Sequence, residues 1–442
     1  MRRHAARIAM QARQTLPEGT GVVGAGLAVA AVTSYVFVIV SLNALEGNAK
    51  AAFSAYWAVI FVAGPGFFLP LEQEVGRALA HRRAQGLGGG PLVTRAARLG
   101  GIITAVMVVA SIASTPLLND QLYHGDMWFV AALAIGLVGF YAMHLSRGVL
   151  AGEGRFRAYG LLIGAEGVIR LLGGIALAGI GVDRAGGYAM VLAVAPFLAV
   201  ALALRTQKGL LKPGPAAPYS ELSASLSWLL LGSVLTQLLA YSSLLAINLL
   251  SSSSEKDVAA AFASAFFVAR VPVLAFQAVQ GTLLPKLAGL AGSGRHDEFR
   301  KGVGKLLAGV VGIAVLGTVG AAVLGPTVGK ILFSDFSLGA EGLALLAAGS
   351  GLFIIALTLA QALMALGGHR VQAVAWGAGL LVCGAVTFAI SDLLLRVEVG
   401  FVAGAAVAAV LMAVFTWLRI SKAGAGSLDD LIEAIEHEPI EI

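Results

Sequence analysis

The sequence predicts an all-α polytopic membrane protein of about twelve transmembrane helices in two six-helix halves. Three observations predict it. Hydrophobic residues fill 58% of the 442 positions and charged residues 12%, about half the charged share of soluble domains. Glycine occurs 57 times, and small residues let membrane helices bring their backbones close. The apolar runs reach the ~20 residues that a spanning helix needs, whereas a β-barrel would show short alternating segments.

The elements follow in order. The basic stretch MRRHAARIAMQARQ reads as a cytoplasmic arm. The apolar run after it is too long for a signal-peptide core, so it is expected to be an uncleaved first helix. Spans are expected near 20–42, 51–71, 93–116, 127–147, 159–181, 188–204, 226–250, 259–281, 303–325, 341–366, 372–391 and 399–418. Between the sixth and seventh lies RTQKGLLKPGPAAPYSELS, whose Pro and Gly mark a linker. The chain therefore divides into an N-terminal lobe (1–205), a cytoplasmic linker (206–225), a C-terminal lobe (226–420) and an acidic cytoplasmic tail (421–442). RGVLAGEGRFRAY and QALMALGGHRVQA each follow the fourth span of their half. Ala151 and Gly154 align with Ala365 and Gly368 at one offset, which fits an internal repeat of six helices. In the tail, Ser427 and Asp430 resemble a capping box opening a short amphipathic helix, which either packs on the cytoplasmic face or docks a partner.

Charge supports this topology. Of the 30 Lys and Arg residues, Lys50, Arg184, Lys256, Lys330 and Arg396 fall on one side, and Arg170 and Arg270 within spans. All the others share the side of the N-terminus, a strong positive-inside bias. It places both termini in the cytoplasm, and it explains the net charge of +6 without nucleic acid. All five Trp residues lie within about two turns of a predicted span end, where aromatic belts form. The single Cys383 allows no intrachain disulfide, and the seven His residues show no metal spacing. No Walker A, H-E-x-x-H or nucleophile-elbow pattern occurs, so the expectation is a transporter without cofactor or covalent chemistry.

Arg270 is the most informative residue. It sits within VAAAFASAFFVARVPVLAFQAVQG with no acid within a turn. A charge at membrane depth costs about 2.5–3.5 kcal/mol on insertion scales, and such residues often mark a substrate path. Either the guanidinium satisfies a carbonyl freed near Pro272 or pairs with an acid on another helix, or it binds a phosphate or carboxylate through its planar fork. Arg170 lies four residues after Glu166, the favourable order for an ion pair. The pair is either a neutralised contact or part of a site, and Glu166 is the default residue for proton coupling. Gln237, Gln277, Gln280 and Tyr35 add polarity, for substrate or for interhelical hydrogen bonds. Pro65 and Pro272 are candidate hinges or static bends. Glu72 and Glu74, among Arg77, Arg82 and Arg83, form a solvated ion-pair surface or a cytoplasmic gate.

Two stretches, ARVPVLAFQAVQGTLLPKLAGLAGSGRHDEF and SRGVLAGEGRFRAYG, together with the twelve-span plan, carry a resemblance. The chain resembles the multidrug/oligosaccharidyl-lipid/polysaccharide (MOP) exporter superfamily. Within it, the chain is similar to the polysaccharide-biosynthesis branch that flips polyprenyl-diphosphate-linked sugars. The resemblance implies two pseudo-symmetric lobes around a central cavity lined by the first, second, seventh and eighth spans. Arg270 matches a position where related flippases hold a diphosphate. The chain has twelve spans where lipid II flippases have fourteen, and it lacks their first-helix charges, which points to another lipid-linked glycan. The first and seventh spans also lack the acid common in drug exporters. The expectations are therefore a flippase for an isoprenoid-diphosphate-linked saccharide in the bacterial cytoplasmic membrane, with membrane lipids and glycan-assembly proteins as partners. The alternatives are a cation-coupled drug exporter of the same superfamily, or a non-transporting scaffold for glycan assembly.

Overall fold

The computed structural model describes residues 19–222, 226–252, 255–273, 276, 287, 289–291, 295–334 and 336–436, with side chains through residue 421. The helices are α1 (Thr20–Ala44), α2 (Gly47–Ala84), α3 (Gly90–Ala113), α4 (Thr115–Gln121), α5 (Trp128–Gly152), α6 (Phe156–Gly179) and α7 (Ala185–Leu204). After the 3-10 turn Tyr219–Glu221 come α8 (Leu226–Leu250), α9 (Lys256–Ala269), α10 (His296–Leu332), α11 (Ala340–Ala365), α12 (His369–Ala389) and α13 (Leu393–Glu436). Among the described residues, eleven helices are long and apolar enough to cross a membrane. The twelfth predicted span contains no surprise, but the eighth does. Its helix α9 ends at Ala269 with Arg270 as its C-cap, and residues 271–273 are again helical, so Arg270 stands at a break in the helix and not inside an unbroken one.

The chain forms two compact units. The first comprises the residues up to Leu45 and Ala63–Leu226. Here α1 packs along α6, and α5 packs against α3 and α7. The α1–α6 pairing depends on missing side chains: a Cβ on Gly26 would lie 2.2 Å from the Gly160 carbonyl oxygen, and one on Gly160 2.5 Å from that of Val22. Backbone meets backbone there, as small-residue membrane interfaces allow. Leu71, Leu79, Leu92, Ala96 and Val149 form a core that Ala217 and Leu222 of the linker join. Arg82 pins this linker. It donates to both Glu221 carboxylate oxygens, at 2.6 and 3.0 Å, and to the carbonyls of Gly88, Pro215 and Ala216.

The second unit comprises Glu46–Val62 and Ser227–Ile442. Helix α11 packs on α9, α10 and α13, and α12 packs on α13. Phe353, Trp376 and Phe401 sit in its core. Trp57 is also buried, stacked on Phe61 at 4.5 Å. Only Trp128, Trp228 and Trp417 are exposed as a belt requires. Position along a span fixes depth, but packing decides whether a ring faces lipid.

Helix α2 runs continuously through Pro65 and Pro70, because freed carbonyls in membrane helices find other partners. One local expectation changes. Helix α13 continues to Glu436, so Ser427 starts no separate helix.

Candidate functional site

Arg270 is 8% exposed. Its guanidinium donates to the Ala240 carbonyl of α8. Four rings surround it: Phe266 at 4.7 Å, Phe401 at 5.2 Å, Phe353 at 5.5 Å and Tyr241 at 5.6 Å from the guanidinium carbon. These come from α8, α9, α11 and α13. Its Nε has no hydrogen-bond partner, and no carboxylate pairs with it among the described residues. That carbonyl belongs to α8 and not to the turn before Pro272, and it sits beside an aromatic cage that sequence order does not reveal. Pro272 follows the end of α9, half-buried. Gln237 donates from Nε2 to the Phe61 carbonyl at 3.1 Å, an interhelical bond within the same unit. Gln277 and Gln280 lie outside the described residues.

In the first unit, Arg170 and Glu166 form the i,i+4 ion pair at 3.1 Å. Both side chains are buried, and Arg170 also donates to Ser34 Oγ of α1 and lies over the Phe37 ring at 5.7 Å. The close α1–α6 crossing at Gly26 and Gly160 is what brings Ser34 to Arg170. Tyr35, the next residue of α1, is half-buried.

Glu72 and Glu74 are not solvated; both are buried. Glu72 accepts from His144 Nδ1 at 2.7 Å, Tyr159 Oη at 2.9 Å and Arg147 at 3.1 Å. Glu74 pairs with Arg77 at 2.8 Å. Helices α2 and α5 can meet here because Gly148 has no side chain: a Cβ would lie 2.8 Å from the Glu72 carbonyl oxygen. A His inside a predicted span is the sequence signal for His144, whereas nothing in the sequence marks Tyr159. Among the described residues, no group of three or more His, Cys, Asp or Glu is placed to hold a metal.

No family model matches the chain. It is 32% identical over 165 residues to an uncharacterised protein of Mycobacterium tuberculosis, covering 37% of this chain and 38% of that one. It is 30% identical over 156 residues to an uncharacterised protein of Mycobacterium bovis, covering 34% and 35%. The chain thus spans well under half the length of the curated relatives it matches. Its fold is similar to the inward-facing conformation of a multidrug resistance MATE family transporter of the MOP superfamily. That match has a TM-score of 0.70 at 14% identity and covers 88% of this chain and 95% of that one. The outward-facing conformation gives 0.69 at 14%, over 91% and 96%. A MOP superfamily transporter from Pyrococcus furiosus, for which reverse polarity of the binding pocket suggests a different function, gives 0.67 at 13%, over 91% and 95%. The shared architecture is the MATE-type bundle of transmembrane helices.

Proposed function

We propose that this chain is a transporter of the MOP type that flips an isoprenoid-diphosphate-linked saccharide across the bacterial cytoplasmic membrane by alternating access. The observation that carries the reading is the charge state around Arg270. Cation–π contacts contribute about 0.5–2 kcal/mol each and one carbonyl bond adds modestly. They offset the cost of burying the guanidinium, but they leave its positive charge without a counter-ion among the described residues. A phosphate group supplies one, and the planar fork of Arg suits its geometry. Arg170, already balanced by Glu166, is then a secondary contact, with Gln237, Gln280 and Tyr35 contributing polar groups. The two halves of the chain act as the moving lobes, with Pro65 and Pro272 as hinges and the Glu72–Glu74 region as a cytoplasmic gate. That similar folds are recorded in both inward- and outward-facing conformations supports alternating access.

The test is native mass spectrometry of the purified protein with extraction of co-purifying lipid, for wild type, Arg270→Ala and Arg270→Lys. The expected result is a glycosylated prenyl diphosphate on wild type, lost in Arg270→Ala and weakened in Arg270→Lys, which keeps charge but not the fork. Equal loading of all three removes Arg270 from the site. A wild type without such lipid, together with ion-dependent dye efflux lost in Glu166→Gln, supports the second reading. That reading is a cation-coupled exporter, favoured by the fold's likeness to multidrug resistance transporters.

A further inference from the structure

The buried carboxylates of the described membrane helices are Glu72, Glu74, Glu166 and Glu398. Three have cations: Glu72 has Arg147, with His144 as a further hydrogen-bond partner, Glu74 has Arg77, and Glu166 has Arg170. Glu398 has none. It is 3% exposed, and its Oε1 has no hydrogen-bond partner.

Its surroundings explain the isolation. Glu398 lies near the start of α13, with Oε1 pressed against α11, where a Cβ on Gly342 would come within 2.5 Å of it. The charged groups on neighbouring elements are engaged elsewhere or exposed. Arg396 donates to the Leu250 carbonyl at 2.9 Å. Exposed Asp392 accepts from the Leu395 N–H at 2.8 Å. Glu341 on α11 and Lys330 in the last turn of α10 are exposed. Helix α12 carries His369 and Arg370 at its start, far along the helix from the end that leads into α13, and Cys383, which donates to Ser242.

A buried carboxylate with no cation among the described residues and one oxygen without a donor is costly to keep ionised, and taking up a proton removes that cost. We propose that Glu398 is a proton-binding site of this chain. The carboxylate accepts one proton to become a neutral buried acid, and returns it when water reaches the α11–α13 contact. It is the carboxyl left available for proton coupling once Arg170 engages Glu166. The coupling role rests on the transport reading above; the protonation does not.

The experiment is infrared spectroscopy of the full chain in lipid nanodiscs across a pH series. Wild type shows the carbonyl stretch of a protonated carboxylic acid at neutral pH. The band shifts in heavy water, fades reversibly as pH rises, is absent in Glu398→Gln and persists in Glu166→Gln. A band equal in wild type and Glu398→Gln, or one that never titrates while the protein stays folded, overturns the site. In vesicles with an imposed pH gradient, the gradient stimulates transport by wild type and not by Glu398→Gln; equal stimulation overturns the coupling role. A wild type that transports nothing in these vesicles counts against the transport reading alone, and the infrared result still decides the proton site.

Discussion

At the scale of single residues, the buried ionic groups differ in how completely they are compensated. Glu72 is the most heavily engaged, with donors from three side chains on α5 and α6. Removing one partner of a buried pair leaves the other charge stranded, at about 3–5 kcal/mol. Glu72→Ala is therefore expected to destabilise the first unit by roughly that amount. The surface pair Arg295–Glu298, with side chains 56% and 55% exposed, is the control. Arg295→Ala is expected to cost at most about 1 kcal/mol. Thermal unfolding of both variants in the same detergent is the check, and similar midpoints would show that the Glu72 cluster is solvated. Arg270 is a different case, because its rings and carbonyl stabilise the cation without cancelling its charge.

At the scale of elements, glycine placement decides which helices touch. Gly160 meets the Val22 backbone on α1, whereas a Cβ on Gly164 would find ordinary contact at 3.5 Å from Gly26. Gly160→Leu is expected to force α1 off α6, destabilising by about 1–3 kcal/mol. It should also break the Arg170–Ser34 hydrogen bond. Gly164→Ala should fold as wild type does. A cysteine cross-link between α1 and α6 reads the difference: Gly160→Leu lowers its yield and Gly164→Ala does not. Equal yields would mean that the two backbones do not approach at Gly160. Helix α2 accommodates two prolines within one continuous helix, as membrane helices tolerate.

At the scale of the whole molecule, the segment between α7 and α8 is held to the first unit by Arg82. The Arg82 guanidinium bonded to Glu221 holds that carboxyl below the usual carboxylate range. A depressed folded-state value gives stability that is present above the unfolded value, about 4.3 for Glu. That stability is lost as pH falls through the folded value. The clasp is therefore intact at neutral pH and weakens only below about pH 4. Limited proteolysis between residues 205 and 222 at neutral pH is expected to be slow in wild type and faster in Arg82→Ala and Glu221→Gln. Unchanged cleavage in both variants would show that the core contacts of Ala217 and Leu222 hold the segment without Arg82.

The sequence by itself determined the all-helical membrane class, the place of most spans and the Glu166–Arg170 pair. Apolar run length and an i,i+4 spacing are local properties that survive any packing arrangement. Only the tertiary structure decided which polar groups meet. It placed Arg270 at a helix break inside four rings from four helices, and joined Glu72 to His144 and Tyr159 across elements far apart in the chain. It also left Glu398 buried with no hydrogen-bond partner for Oε1 among the described residues. Hydropathy fixes how deep a residue sits, whereas its neighbours depend on which face of each helix turns inward, and helix packing alone settles that.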